Sequence, residues 1–420
     1  MFRAILNAFK IKELRNRILF TFGILAIYRF GATLTIPGVD ATKIFAQVEQ
    51  GIIGMLDLFS GGALGRFSVF SLGIMPYITA TIIMQLLQVV IPKLDQLAKE
   101  GETGRRRINQ ISRYITFGLA LIQAFAMTFY FRNFGAIPNF DWMHVTLIII
   151  TLTAGTLIIM WFGELINLHG IGNGISLIIF ASIVSRIPGS IISLFRLQGT
   201  NWFLIFVFVL IAIGTVVAII LIQEGERRIP VQYAKRIVGR KVFGGQSTYI
   251  PLKVNQSGVM PIILAVSVLL FPATIAQFAN VGWLQSLANI LSPTTGGRIN
   301  PIYIVIYSIL IIVFAYFYTA ISFNPNDTAE NLRKYGGYIP GIRPGKSTSD
   351  FLSNILNRIT LPGAIFLAII AILPEILIDS FGIPFKFGGT SVLIAVSVAL
   401  ETMKWLESQL MMRDYEGFIK

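Results

Sequence analysis

The chain has 420 residues, 55% of them hydrophobic and only 13% charged, with a mean hydropathy of +0.74 and a formal net charge of +14. So little polar surface excludes a soluble globule and fits a chain that crosses a bilayer many times. Cysteine is absent, which excludes disulfides and thiol chemistry.

Runs of roughly 20 apolar residues, enough to cross about 30 Å of hydrocarbon, recur ten times. The first, 18–36, follows a basic stretch and resembles a signal peptide. No small-residue cleavage site precedes the polar "IPGVDATK", so it is expected to stay as a helix. Next comes "FSGGALGRFSVFSLGIMPYITA" (59–80), apolar yet broken by glycines, Arg66 and Pro76, leading into a second span at 68–91. The remaining spans are expected at 114–131, 145–167, 174–194, 201–223, 258–276, 302–323, 360–379 and 389–406. Under alternating topology, 26 of the 34 Lys and Arg fall on one side, in segments 1–17, 92–113, 225–257, 324–359 and the tail from Lys404. Cationic loops resist translocation, so that side and both termini are expected to be cytoplasmic. Arg29 lies inside the first span, and the loop 168–173 departs from the pattern by having neither Lys nor Arg. The charge of these loops suits anionic lipid, RNA or an acidic protein surface.

Two short motifs recur in order. "GIMPYI" (73–78) matches "GVMPII" (258–263) at four of six positions, and "GISLII" (174–179) matches "GTSVLI" (389–394) at three of six. Five spans separate the members of each pair, so matched helices run in opposite directions, the mark of an inverted repeat. The chain then divides into halves at 1–196 and 197–420. Pro76 and Pro261 read as helix interruptions whose freed carbonyls need partners in protein or in a watery cavity. The motifs align Ile78 with Ile263 and Ile179 with Ile394, while Ile74 and Ile175 lie one turn before Ile78 and Ile179. Each alone reads equally as a lipid-facing side chain. As a set from opposed helices they read as a narrow apolar collar that holds back water and ions by dewetting.

The stretches "FSGGALGRFSVFSLGIMPYI", "KEGETGRRRINQISRY", "GIGNGIS", "YAKRIVGRKVFGGQSTYIPLKVNQSGVMP", "FNPNDTAENLRKYGGYIPGIRPG" and "FGGTSVLI" closely resemble the SecY family, the pore-forming subunit of the bacterial protein translocase, over nearly the whole chain. The resemblance implies an all-α polytopic membrane protein: ten transmembrane helices in two inverted halves, a clamshell around an hourglass pore that opens to lipid between spans two and seven. It implies a plug around residues 57–70, a short re-entrant helix that includes Asp57, Phe59, Ser60, Gly61, Gly62, Ala63, Leu64, Arg66 and Phe67. A plain external loop fits the same residues. The pore ring maps onto Ile74, Ile78, Ile175, Ile179, Ile263 and Ile394. Thr79, Gln85 and Ser267 become candidates for the lateral gate, although such hydroxyls also bond their own helix backbone. Arg240, Lys241 and Arg343 fall at the tips of the long loops 225–257 and 324–359 that the family uses to dock SecA or the ribosome, and guanidinium suits both rRNA phosphate and carboxylate. Implied partners are SecE, SecG, the SecA ATPase, the ribosome, precursor polypeptides with signal sequences, and lipids of the bacterial cytoplasmic membrane.

Other signals are weaker. "GIRPGKST" (341–348) has three residues, not four, between Gly341 and Gly345 and lacks a preceding strand, so it is no phosphate loop. His144 and His169, the only histidines, fall at opposite ends of one span, and no cysteine or carboxylate pair completes a metal or catalytic site. No enzyme chemistry and no cofactor is expected. A secondary transporter also uses inverted repeats but usually carries ionisable groups at mid-membrane; the collar positions are aliphatic. The expectation is a channel that passes unfolded secretory chains across the membrane and releases apolar segments sideways, driven by SecA or the ribosome.

Overall fold

The computed structural model describes residues 8–48, 52–138, 140–196, 202–233, 236–238, 241–243, 247–276, 282–292, 294–295, 298–381 and 389–418. In chain order the elements are helices α1 (Lys12–Gly31), α2 (Ala41–Val48), α3 (Ile52–Ser60), α4 (Met75–Val90), α5 (Pro92–Lys99), α6 (Glu102–Asn133), α7 (Trp142–His169), α8 (Gly174–Val184), α9 (Ile187–Arg196) and α10 (Trp202–Glu224). Strands β1 (Glu226–Tyr233), β2 (Arg236–Val238), β3 (Lys241–Phe243) and β4 (Ser247–Lys253) follow, then α11 (Met260–Ala276), α12 (Gly282–Ile290), β5 (Thr294–Thr295) and β6 (Arg298–Ile299). The chain ends with α13 (Pro301–Ser322), α14 (Pro325–Lys334), β7 (Gly337–Tyr338), α15 (Lys346–Phe381) and α16 (Gly389–Phe418).

The molecule is mostly helical, and each expected span overlaps a helix. Among the described residues five helices are long and apolar enough to cross a bilayer unaided: Glu102–Arg132, Trp142–His169, Pro301–Lys334, Lys346–Pro374 and Gly389–Met412. Of the others, two are bent or divided. α4 and α5 meet at 103° where Pro92 starts a new helix, and the fifth span divides into α8 and α9 at Ser185 and Arg186. The second span starts at Met75, not 68, because residues 61–74 fold back as turns.

Pro76 and Pro261 correct one expectation. Each is the second residue of its helix, where the backbone N–H has no intrahelical partner to lose. They start helices; they do not interrupt them. Gly73 and Gly258, two residues before each start, both have positive φ, 57° and 62°, a turn that the missing Cβ permits. The first backbone bonds also correspond: Ile78 N–H to the Ile74 carbonyl (3.1 Å) and Ile263 N–H to the Val259 carbonyl (3.3 Å). At the second motif, a Cβ on Gly174 would collide with the Gly163 carbonyl of α7, and one on Gly389 with the Ile370 carbonyl of α15. Both glycines let a helix start against the backbone of the preceding one.

Packing follows the same order twice. α4 lies on α6, α6 on α7 and α7 on α8, with α1 against α7 and α8; α11 lies on α13, α13 on α15 and α15 on α16, with α10 against α15 and α16. Contacts of α8 with α16 and of α4 with α11 join the two sets. The largest buried apolar cluster runs through both, from Tyr28 and Ile78 to Ile263, Tyr307 and Ile394.

The basic loops 225–257 and 324–359 form one module. β1 pairs antiparallel with β4 from Glu226↔Lys253 to Gln232↔Ser247, and with β7 through Gln232↔Tyr338 and Tyr233↔Gly337. Alternation along β1 turns Ile229 and Val231 inward, onto a small core with Leu252, Ile339, Leu352 and Leu356. The loop 168–173, anomalous for its lack of charge, is held in part inside the protein. Thr21 Oγ1 of α1 accepts from Ile171 N–H (3.1 Å), and Gly172 lies beside Thr402 of α16. Gly170 and Ile171 are buried there, and those two positions have no room for solvated cations.

Candidate functional site

At the end of the helices that carries the basic loops, a cavity of about 380 Å³ opens between the two sets. Its walls mix apolar side chains such as Val259, Met260 and Leu400 with polar ones, among them Asn173, Ser176, Asn255, Gln256 and Ser257, and Lys253, Glu401 and Lys404 also line it. Gln223 Nε2 donates to Ser397 Oγ (2.7 Å), and Lys404 pairs with Glu224 (2.9 Å). Ile179, Ile263 and Ile394 lie among the same lining residues.

All six collar isoleucines belong to the large apolar cluster or pack against it. Ile74, Ile78, Ile179, Ile263 and Ile394 are buried in the one large cluster, and Ile175, half-buried, packs against it. They are supplied by α4 and the residue before it, α8, α11 and α16, that is, by both packing sets.

Beyond the waist lies the turn-rich stretch. α3 ends at Ser60, so only the first residues of 57–70 are helical, and the rest is a folded loop. Gly61 and Gly62 take φ of 68° and 84°. A Cβ on Gly61 would come within 2.9 Å of Ser182 Cα, so this backbone turn lies flat on α8. The side chains divide between two apolar clusters. Phe59, Ala63 and Phe70 join the large one, and Leu64 and Phe67 enter a second with Ile36, Phe131, Ile148 and Leu152. Phe70 stacks on Tyr28 (5.7 Å between ring centres), and Phe67 meets Phe131 edge-on (5.4 Å). Phe67 is the one non-glycine with positive φ (46°) among the described residues. A left-handed conformation costs a bulky residue about 1–2 kcal/mol. The Ile36 N–H bond to its carbonyl (3.0 Å) and its full burial offset that.

Polar ties complete the seat. Asp57 Oδ2 accepts from Arg186 (2.8 Å), and Asp57 Oδ1 accepts from Gly65 N–H (2.9 Å) and Ser60 Oγ (3.3 Å). Arg29 donates to the Gly61 carbonyl (2.7 Å), and Tyr28 shares a 2.6 Å hydrogen bond with Ser182. Arg66 alone of the expected plug side chains is exposed. The sequence singled out neither Tyr28, Ser182 nor Arg186. Arg29, an arginine inside an apolar span, was the available signal, since such a charge needs a polar partner in protein.

At the contact of α4 with α11, Thr79 Oγ1 donates to the Met75 carbonyl (3.0 Å) and Ser267 Oγ to the Ile263 carbonyl (2.8 Å). Both hydroxyls bond their own helices, and no polar bridge between them spans the seam. Gln85 is half-buried further along α4. On the basic module, Arg343 is exposed, and its carbonyl accepts from Thr348 (2.9 Å). Arg240 and the Lys241 side chain lie outside the described residues. Arg228 lies over the Tyr249 ring at 4.8 Å, and its hydrogen bond to Glu226 (2.7 Å) raises its pKa further.

A protein-family model described as SecY matches residues 68–403. The protein translocase subunit SecY of Streptomyces galbus is 46% identical over 442 aligned residues, covering all of both chains. Its counterpart from Halalkalibacterium halodurans is also 46% identical over all of both chains, and that of Rickettsia conorii is 45% identical over 97% of this chain and 96% of its own. Among solved structures, a protein-conducting channel superposes with a TM-score of 0.65 at 20% identity, over 94% of this chain and 92% of its own. Sec61 from a canine ribosome–channel complex superposes with a TM-score of 0.61 at 18% identity and the same coverage. At such identities the structural likeness speaks to fold alone.

Proposed function

The chain belongs to the SecY family, and from that premise we propose how its parts divide the work of a protein-conducting membrane channel. An unfolded polypeptide brings backbone amides that cost several kcal/mol each in hydrocarbon. It therefore needs a wet route with a seal that yields only to it. The cavity is the entrance, the isoleucine collar the waist, and residues 57–70 the plug beyond it.

The observation that carries this reading is the set of six isoleucines from elements of both packing sets, five in one buried cluster and Ile175 packed against it, with three of them on the cavity wall. Aliphatic rings of this kind exclude water and ions when empty and bind no particular side chain of a passing segment. A coupled transporter needs an ionisable binding centre there instead.

The finer architecture is proposed on the repeated packing order: two inverted five-helix halves, 1–196 and 197–420, making ten spans in a clamshell with its lateral gate between α4 and α11. The basic loops place that side and both termini in the cytoplasm of a bacterial cell. The module of β1, β4, β7, α14 and the start of α15 then presents Arg343 to the SecA motor or to ribosomal RNA, and Arg240 and Lys241, in the same basic loop as β1 and β4, are proposed for the same contact. SecE and SecG complete the complex, since relatives of this length act as one subunit of a translocase.

The test is transport into proteoliposomes that hold the complex, with SecA, ATP and a labelled secretory precursor. Protease-protected precursor is expected only with ATP. Arg343→Glu should lower the yield at least threefold, and Ile78→Gly with Ile263→Gly should let small ions through the idle channel. No protected precursor from an intact, folded complex refutes the assignment.

A further inference from the structure

We propose that Arg186 and Asp57 are a latch that holds the plug on the fifth span, so that plug release is separate from opening of the α4–α11 seam. The proposal rests on the plug assignment above. Among the described residues, every polar tie from segment 57–71 to the rest of the chain ends before residue 187. These ties reach Tyr28 and Arg29 on α1, Leu34 and Ile36 after it, and Arg186 at the break between α8 and α9. No such tie reaches α11 or any later element. Parting the seam therefore breaks none of the plug's hydrogen bonds among the described residues.

The Asp57–Arg186 pair is the one ion pair among these ties, and the Asp57 side chain is only 3% exposed. Its second oxygen caps the plug turn at Gly65 and Ser60, so one carboxylate both shapes the turn and anchors it. Arg66 and Arg186 both lie within electrostatic reach of Arg29. Asp57 is the carboxylate bonded there. Neutralising it weakens its bonds to Gly65 and Ser60 as well as the ion pair, whereas neutralising Arg186 leaves those two bonds in place. The two substitutions are thus unequal in a stated order.

The experiment is idle ion conductance of the complete complex in planar bilayers, without precursor or motor. Asp57→Asn is expected to raise it about tenfold, Arg186→Gln about threefold, and the double variant no more than Asp57→Asn alone, because paired residues are not additive. Arg186→Lys, which keeps the charge, should stay within about twofold of the unmodified chain. Two singles at the unmodified level, or a double that equals their product, overturn the latch. A parallel chain with residues 60–66 replaced by a short Gly-Ser linker separates the two failures. If it leaks and the singles do not, the latch alone is wrong; if it does not leak, the plug assignment is wrong. Should Asp57→Asn or Arg186→Gln not fold, hydrogen exchange of the plug peptide in an Arg186→Met chain, which removes the charge, decides. Faster exchange than in the unmodified chain supports the latch, and equal exchange overturns it.

Discussion

Gly155 shows how tightly single residues define the seat. An added Cβ there would collide with the Val69 carbonyl, which is backbone and cannot swing away as a flexible side chain would. Gly155→Ala should therefore push the turn off α7. Overpacking of this kind costs about 1–3 kcal/mol, so the melting temperature of the purified complex should fall. Gly23→Ala is the control, since nothing lies within 4 Å of its added methyl, and helix propensity alone makes it neutral or slightly stabilising. Equal melting of both variants would remove the close contact from the account. Gly155 was not legible in the sequence, because its partner is a carbonyl some 86 positions away in a stretch with no periodicity. Arg186 was hidden for a different reason. It lies inside the expected span 174–194, at a helix break that the apolar run did not reveal, with nothing local to point to Asp57.

At the scale of elements, helix starts were partly readable. The recurrence of Gly-x-Met-Pro marked both α4 and α11, but a proline in an apolar run looks the same whether it interrupts a helix or begins one. Only the turn before it, with Gly73 and Gly258 at positive φ, settles which. The sheet of β1, β4 and β7 was not legible. Its strands are short, and the pairing of Tyr233 with Gly337 joins loops that the sequence separates by four helices. The seam is where element packing and function meet. Thr79 and Ser267 bond their own helices, so α4 and α11 are held together by apolar contact, which lipid can replace at little cost. A short bifunctional linker between cysteines at positions 79 and 267 is expected to stop export of a secretory precursor in vesicles while leaving idle conductance low. Full export after confirmed cross-linking would show that the seam need not part.

For the whole molecule, composition and charge asymmetry made the membrane class and the number of apolar runs readable, because both are sums over many residues. Two six-residue motifs suggested the proposed inverted repeat, and the packing order of α4, α6, α7 and α8 recurs in α11, α13, α15 and α16. The same motifs suggested the proposed collar, whose Ile74, Ile78, Ile179, Ile263 and Ile394 are buried in one apolar cluster. The turns at Gly61 and Gly62 were readable from the glycines, but the polar ties of residues 57–70 were not, since they depend on where α1 and α8 pass in space. The central claim is that a polypeptide travels through the isoleucine waist. It is tested most directly by placing a photo-crosslinking residue in turn at positions 74, 78, 175, 179, 263 and 394, and at the exposed positions 203 and 213 of α10. Each complex is then illuminated with a precursor arrested midway. Adducts to the precursor are expected at all six waist positions and at neither position on α10; adducts absent from the waist, or equally frequent on α10, would contradict a route between the two halves.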